Sequence, residues 1–503
     1  MMKIWVASRR RGLARILYGC VGLLLAGAAV GQPPDRPNVL LVVADDLNTY
    51  LGCYGDPTVQ TPHLDRLAAR SVRFTNAHAQ YPLCGPSRNS FLTGLYPDSL
   101  GIFSNNQIFR DVLPQHVSLP QAFRRAGYLS ARVGKMYHYN VPSAVGTDGC
   151  DDPASWEISV NPVGVDKLQE EPLIFRLKPD NIGSALCWLA SEHADARHTD
   201  GMITHQAQRL MDLAARDERP FFLAVGYFRP HLPFVAPKPY FERYPLDELT
   251  LAAVEPRELE RVPAAALMSL RKEERDLSED HQRRARQGYL ASISFIDAQV
   301  GQLLDALENQ GLADDTVVVF TSDHGYHMGE HGLYQKKSLF EQATRVPLFI
   351  AAPGSSVPGS VVDQPVGLID LYPTLAELCG LPTETGLQGQ SLAPMLEDES
   401  APGRGWALSQ QHRDGDDGVF VGYSLRTFDW RYTEWDGGRR GRELYDHRAD
   451  PGEHRNLIAD ADHAQHIQEL AAQLHQAIAI TRPADGAIPP APRQHPVVTV
   501  GPE

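Results

Sequence analysis

Two textures alternate along the chain. Short, unbroken apolar runs end in polar residues, and between them lie stretches whose apolar residues recur at helical spacing. Val39 to Ala44 is the first run, and it stops at Asp45-Asp46. An apolar run without polar alternation fits a strand covered on both faces, as in a parallel sheet. Val72 to Ala79, Tyr128 to Val133, Pro220 to Gly226, Thr316 to Thr321 and Val346 to Ala351 predict further strands. Thr61-Pro62 caps a predicted helix carrying Leu64, Leu67 and Ala68, and Leu119 to Ala126 predicts a helix ended by Gly127. His205 to Ala215 and Asp370 to Leu378 read as helices, and Tyr289 to Leu307 forms one apolar helical stripe closed by Gly311. The alternation predicts an α/β fold with a large, mostly parallel sheet flanked by helices.

Two stretches break this rhythm. Residues 140–200 are rich in Pro, Gly, Asp and Asn and predict a loop-rich insertion, and 236–282 predict irregular, charged surface. After Gly386 the texture changes. Gly422 to Trp435 alternates and is rich in aromatics, Glu443 to Asp446 adds a short strand, and His463 to Ile480 a helix. The expected division is a catalytic α/β domain over 37–385, a smaller α+β domain on an antiparallel sheet over 386–482, and a Pro-rich tail over 483–503.

The first residues carry an address. Lys3, Arg9, Arg10, Arg11 and Arg15 precede an apolar run from Ile16 to Val30, with small residues at Ala28, Ala29 and Gly31. This predicts a signal peptide over 1–31 and an exported protein, periplasmic or secreted, with no stable membrane span after cleavage. The net charge of −15 argues against a nucleic-acid partner. Of six cysteines, Cys20 goes with the signal, and the other five are too few for a disulfide scaffold. Cys150 and Cys187 bracket the loop-rich stretch and stand available to pair in an oxidising compartment.

Four chemically loaded segments follow predicted strands: Asp45-Asp46, Lys135 with His138, Arg229 with His231, and Asp323-His324. Ligands of open α/β sheets bind outside the carboxyl ends of the strands, so these segments are expected to converge. Cys84 joins them from Cys84-Gly-Pro86-Ser-Arg88, just ahead of an expected helix whose first position suits Pro86. Three carboxylates suit a hard cation such as Ca²⁺ or Mg²⁺, whereas His324 is a softer donor that suits Zn²⁺ better. Arg88, Lys135 and Lys336, with His138 and His231, suit a tetrahedral oxyanion ester. From the residues alone, the reading is metal-dependent hydrolysis of a sulfate or phosphate ester.

Cys84-Gly-Pro86-Ser-Arg88 followed by Leu92-Thr-Gly94 resembles the signature of type I sulfatases, which belong to the alkaline phosphatase superfamily. With Gly134-Lys135…His138 and Asp323-His324-Gly325, the resemblance runs from Pro37 to about Leu457. His324, where many sulfatases carry Asn, fits the iduronate-2-sulfatase branch, as do Leu51-Gly-Cys-Tyr-Gly55 and the segment from Tyr423 to Thr433. The resemblance implies oxidation of Cys84 to Cα-formylglycine (3-oxoalanine) by a maturation enzyme. It also implies a Ca²⁺ site, with Mg²⁺ as alternative, made by Asp45, Asp46, Asp323, His324 and the oxidised Cys84. Arg88, Lys135, His138, His231 and Lys336 would surround the sulfate, with Lys337 competing for the role of Lys336. His231 or Lys336 would protonate the leaving alcohol, and His138 would assist release of sulfate. Arg229, Arg426 and Arg431 are candidates to meet a uronate carboxylate in a 2-O-sulfated carbohydrate. A phosphodiester or phosphonate monoester hydrolase of the same superfamily is the nearest rival. A sulfated-glycan-binding protein and a zinc hydrolase with a free thiol are the others.

Overall fold

The computed structural model describes residues 36–482 except 218, 253, 255 and 383. The expected signal peptide and Pro-rich tail lie outside the described residues. The strands of the first part are β1 (Asn38–Asp45), β2 (Val72–His78), β3 (Leu129–Gly134), β4 (Ile158–Val160), β5 (Phe175–Arg176) and β6 (Cys187–Ser191). They continue with β7 (Phe221–Pro230), β8 (Phe234–Pro237), β9 (Thr316–Ser322), β10 (Arg345–Ala351), β11 (Val361–Val362) and β12 (Val366–Gly367). Among the described residues the large sheet has nine strands in the order β11-β2-β10-β9-β1-β7-β3-β4, with β12 also paired to β2. Every pairing is parallel except those of β10, which runs antiparallel to β2 and β9.

The helices that cover this sheet include α1 (Pro62–Ala68), α2 (Cys84–Thr93), α3 (Leu119–Arg125), α4 (Thr199–Ala214), α5 (Glu279–Asn309) and α6 (Leu371–Leu378). Successive residues of a strand face opposite sides. In β1, Leu40, Val42 and Ala44 pack with α1, α4 and α5, whereas Val39, Leu41 and Val43 pack with α2, α3 and α6. Both faces are thus apolar, which is why the strand reads as an unbroken run. Five fully buried Val and Leu residues, Val39 to Val43, contribute roughly 2 kcal/mol each. That burial anchors the strand carrying Asp45.

The residues expected as a loop-rich insertion include short strands. β4 forms an edge of the large sheet, and β6 joins β5 and β8 in a separate three-stranded sheet. Strands of two to five residues hold too few alternations for a period to register. Helix α4 starts at Thr199, ahead of the expected His205, because Asp166 caps it from elsewhere in the chain. Its Oδ1 accepts from Thr199 N at 2.8 Å and from Thr199 Oγ1 at 2.7 Å. The stretch expected as charged surface takes in the last two residues of β8 and buries Glu258 and Glu274. Thr61 does not cap α1 with its side chain; its hydroxyl accepts from Gly52 N and donates to Asp65. Cys150 and Cys187 are free thiols: Cys187 is buried in the core and the Cys150 sulfur turns to Asn105 O.

The carboxyl-terminal part builds an antiparallel sheet from β13 (Ala407–Gly415), β14 (Gly418–Arg426), β15 (Trp430–Trp435) and β16 (Arg442–Asp446). Strand β13 lacks the aromatic alternation that marks β14 and β15. Helix α7 (Ala464–Ile480) packs Leu470, Leu474 and Ala477 against Leu425, Tyr432 and Leu444 of this sheet. The sheet is tied to the end of β2, where Gln410 N donates to Gln80 O at 2.9 Å and Ser409 Oγ to Ala79 O at 2.6 Å.

Candidate active site

Four neighbouring parallel strands, β9, β1, β7 and β3, end at the same edge of the sheet. Their ends carry Asp323, Asp45-Asp46, His231 and Lys135, which is how residues nearly 280 positions apart come into contact; Asp46 N donates to Asp323 Oδ1 at 3.1 Å across |i−j| = 277. Asp46 has φ 65, in the left-handed region that a non-glycine residue rarely adopts. The bond to Asp323 and a second from Tyr289 OH to Asp46 O at 2.8 Å hold it there. Lys135 follows a close approach of β3 and β7 that only glycine permits. A Cβ on Gly226 would lie 1.9 Å from Lys135 O, and Gly134 has φ +74.

Cys84 is itself the first residue of α2, after the extended Leu83, rather than lying ahead of the helix. Pro86 therefore occupies the third helical position. It costs no hydrogen bond there, since the first N–H groups of a helix have no intrahelical partner. All ten residues of α2 are buried, so its polar side chains bond to nearby backbone: Asn89 Nδ2 to Gly85 O at 2.8 Å, Ser90 Oγ to Leu95 O at 2.7 Å, Thr93 Oγ1 to Asn89 O at 2.6 Å. The motif thus fixes a rigid, fully buried platform under Cys84.

Around that platform the charges interlock. Arg88 donates from Nε to Asp323 Oδ2 at 2.8 Å, from Nη2 to Asp45 Oδ1 at 3.1 Å, and from Nη1 to Lys135 O at 2.6 Å. Lys135 Nζ lies 2.6 Å from Asp45 Oδ2, and Ser87 Oγ donates to Asp323 O. Cys84 Sγ is 3.2 Å from Lys336 Nζ, 3.3 Å from His324 Nε2 and 3.8 Å from Asp46 Oδ1. Lys336 Nζ also lies 2.5 Å from Asp46 Oδ1. Of the two adjacent lysines, Lys336 therefore faces Cys84; Lys337, at φ 63, turns its side chain along the cavity wall.

Burial would raise the Asp45 carboxyl, but the permanent cations beside it, Lys135 and Arg88, hold it well below the usual range. Burial pushes Asp46 up to about 7 against the pull of Lys336. Burial and Asp45 raise the Cys84 thiol, yet Lys135 and Lys336 leave it below its ordinary value. His138 and His231 are driven well below 6.5 by burial and then by the lysines, so both imidazoles are neutral. His231 Nδ1 bonds Leu232 O at 2.6 Å, and its Nε2 lies 3.8 Å from Asp46 Oδ2. His138 Nε2 pairs with Asn140 Oδ1 at 3.3 Å, whereas its buried Nδ1 has no partner among the described residues. His138, His231, Asp46 and Lys336 share one cavity of about 300 Å³.

The donor set fits a cation. Asp45, Asp46, Cys84 and His231 form one group, and Asp46, Cys84, Asp323 and His324 another, each with its ligand atoms within 4.8 Å of one another. His324 Nδ1 bonds Gly325 O at 2.9 Å, which directs Nε2 at Asp46, Asp323 and Cys84. Burial lowers this imidazole, but Asp323 and Cys84 raise it to about 9, so its surroundings favour positive charge. Three carboxylates in a buried site suit a hard, oxygen-seeking ion.

The three arginines expected at a uronate carboxylate are engaged elsewhere. Arg229 donates from Nε to Val235 O at 3.0 Å and from Nη1 to His231 O at 3.2 Å, and pairs with Asp166 at 3.5 Å. Arg426 and Arg431 pair with Glu341, and Arg431 also with Glu453. Arg431 is 1% exposed. Arg431 has all three guanidinium nitrogens engaged, Nε with Glu453, Nη1 with Ser424 and Nη2 with Glu341 and Thr344. Sequence reasoning missed other residues of the site. Tyr289 holds the Asp46 backbone but reads as one more apolar position of its helix. Asn105, whose Oδ1 accepts from Gly85 N at 2.9 Å, lies in a loop without a pattern.

The chain matches the family model for sulfatases over residues 37–381 and that for the N-sulphoglucosamine sulphohydrolase C-terminal region over 329–479. It is 34% identical to iduronate 2-sulfatase of Mus musculus, covering 90% of this chain and 97% of that protein. Against iduronate 2-sulfatase of Homo sapiens the identity is 33%, with 90% and 98% covered. The phosphonate monoester hydrolase of Agrobacterium radiobacter superposes with a TM-score of 0.72 at 25% identity, covering 89% of this chain and 96% of that one. The fold is that of the alkaline phosphatase-like enzymes, and a C-terminal antiparallel sheet accompanies it here. The chain belongs to the sulfatase family and is a sulfuric ester hydrolase.

Proposed function

We propose that the protein removes sulfate from a 2-O-sulfated uronic acid or a related sulfated carbohydrate. A formylglycine-generating enzyme converts Cys84 to Cα-formylglycine, and Asp45, Asp46, Asp323 and His324 hold a divalent cation, Ca²⁺ in preference to Mg²⁺. One observation carries this reading: a single buried cysteine stands where three carboxylates, Arg88, Lys336 and His324 meet. As its hydrate, the oxidised residue supplies one hydroxyl as nucleophile and a second that allows sulfate to leave. The cation supplies positive charge to the oxygens around it.

This chain's own residues do the rest. Arg88, locked by Asp45, Asp323 and the Lys135 carbonyl, keeps the two carboxylates in register. Lys135 and Lys336 bring the positive charge that the oxygens of a sulfate ester require. Burial would lower the Lys336 ammonium, but the Asp46, Asp45 and Asp323 carboxylates around it raise it, so its Nζ carries the proton available to the departing alcohol oxygen. His138, neutral and with Nδ1 unpartnered, takes up a proton at that atom. The likeness to two iduronate 2-sulfatases over nine-tenths of the chain supports a uronate 2-O-sulfate as substrate. The apolar run and basic residues ahead of Gln32 support export.

Sulfate release from heparin-derived disaccharides tests the substrate. Turnover is expected with 2-O-sulfate on the uronic acid and not with 6-O-sulfate on glucosamine alone. The opposite preference would overturn the assignment. The likeness to a phosphonate monoester hydrolase favours a second reading, which faster cleavage of a phenyl phosphonate monoester than of any sulfate ester would support.

A further inference from the structure

A second and larger cavity, of about 730 Å³, adjoins the one that holds Lys336 and His231. The two share Leu83, Asn105, Arg271, Gln335 and Lys337 as walls. Together they reach the size of a cleft that takes a whole ligand, roughly 300–1,000 Å³. Asn105 ties this cleft to the Cys84 platform, because its Oδ1 accepts from Gly85 N and a Cβ on Gly85 would lie 2.8 Å from Ser104 O. The loop that shapes the larger cavity is thus registered against the helix that carries Cys84.

The chemistry of the larger cavity differs from that of the chain as a whole. The protein has a net charge of −15, yet this wall gathers Arg271, Lys337 and Arg413 with one carboxylate, Asp414. No carboxylate pairs with Lys337 or Arg413 among the described residues. Arg413 is 7% exposed, and it donates from Nε to Ala265 O and from Nη2 to Lys337 O. Its guanidinium also lies 5.3 Å over the Trp435 ring, so it is held at the cavity by carbonyls and a ring and keeps its charge uncompensated by a carboxylate. Burial and the neighbouring Lys336, Arg271 and Arg413 lower the Lys337 ammonium, the mark of surplus positive charge. The same cavity is lined by rings: Phe103 and His412 lie 3.9 Å apart between centroids, and Tyr81 stacks with His412 at 6.1 Å. Burial takes His412 down to about 4, so these rings are uncharged at neutral pH.

We infer that the larger cavity binds the neighbouring acidic sugar of the same saccharide chain, with Lys337 and Arg413 meeting its carboxylate or sulfate and Phe103 and His412 its ring face. This rests on the proposal that the ester is cleaved at Cys84. The substrate is accordingly an oligosaccharide at least two residues long, and recognition of the second residue is separate from the chemistry. A ring wall with nearby fixed cations suits an amphipathic, anionic sugar.

The test uses the full chain bearing the oxidised Cys84, with Lys337→Gln and Arg413→Gln. The Lys337 side chain makes no hydrogen bond or ion pair among the described residues, so its substitution leaves the fold intact even where Arg413→Gln perturbs folding. Each is expected to lower kcat/KM for a heparin-derived tetrasaccharide about ten-fold through KM, as loss of one charged hydrogen bond does. Cleavage of 4-methylumbelliferyl sulfate, which carries no second sugar, should stay within about two-fold. Equal losses on both substrates, or no loss on the tetrasaccharide with Lys337→Gln, would overturn the inference. Calorimetric titration with the same tetrasaccharide judges the cleft independently of turnover. Weaker binding by Lys337→Gln supports it and unchanged binding overturns it, whereas failure to cleave either ester counts against the sulfatase reading alone.

Discussion

Replacing Arg431 by Met distinguishes a structural guanidinium from a substrate ligand. Arg431 Nη1 donates to Ser424 Oγ at 3.0 Å and Nη2 to Thr344 Oγ1 at 3.1 Å, while Nε and Nη2 pair with Glu453 and Glu341. Removing it leaves two buried carboxylates with Arg426 at 3.2 Å from Glu341 and His447 at 2.9 Å from Glu453. Burial raises Glu453, but Arg431 first and His447 second bring it from 4.5 to about 2. At roughly 1.4 kcal/mol for each tenfold change, that difference corresponds to about 3 kcal/mol, and breaking a buried pair costs about 3–5 kcal/mol. Arg431→Met should therefore lose about 3 kcal/mol in urea unfolding followed by tryptophan fluorescence, with Trp430 and Trp435 on the same strand as reporters. Glu453 contributes stability that is lost as pH falls through its folded value, and the variant should begin to lose it at higher pH than the parent. At a temperature where it remains folded, its kcat/KM should equal the parent's. A residue that meets substrate carboxylate would instead keep its stability and lose about 10–100-fold in KM. A Met variant as stable as the parent would refute the reasoning.

Glu443 offers a second pH-linked prediction of opposite sign. Burial raises it from 4.5 to about 7, because its hydrogen-bond donors, Trp435 Nε1 at 2.7 Å and Tyr445 OH at 3.1 Å, are neutral. The folded chain keeps a proton that the unfolded chain has released, so stability falls as pH rises from about 5 through 7. Glu443→Gln should gain about 2–3 kcal/mol on the parent between pH 5 and pH 8 by urea unfolding, and a pH-independent difference would contradict this. Dialysis against a chelator should abolish sulfate release, and Ca²⁺ should restore it at lower concentration than Mg²⁺; full activity in the metal-free protein would count against the cation site.

The sheet and the meeting of its strand ends were legible because both depend on burial. Val39 to Val43 must be apolar on both faces of a covered sheet, and Asp45, Lys135, His231 and Asp323 follow such runs directly. Where an element depends on a tertiary partner, the sequence holds no local trace. Helix α4 starts at Thr199 because Asp166 caps it from outside, and β13 is a strand because β14 pairs with it along its length. The arginines show the same limit from another side. As a residue type Arg431 is a candidate for a uronate carboxylate, but it finds Glu341 and Glu453, 90 and 22 residues away. Charges that a fold pairs internally cannot be told from charges it offers outward without the partners' positions. The helix begins at Cys84, two residues before the expected start at Pro86, because Pro86 suits any of the first three helical positions.

The mass of the tryptic peptide from Phe74 to Arg88, taken from protein made in its native host, tests the central claim most directly. The account predicts a peptide carrying an aldehyde at position 84 in place of the thiol. An unmodified thiol throughout that protein, with sulfate release intact, would contradict it.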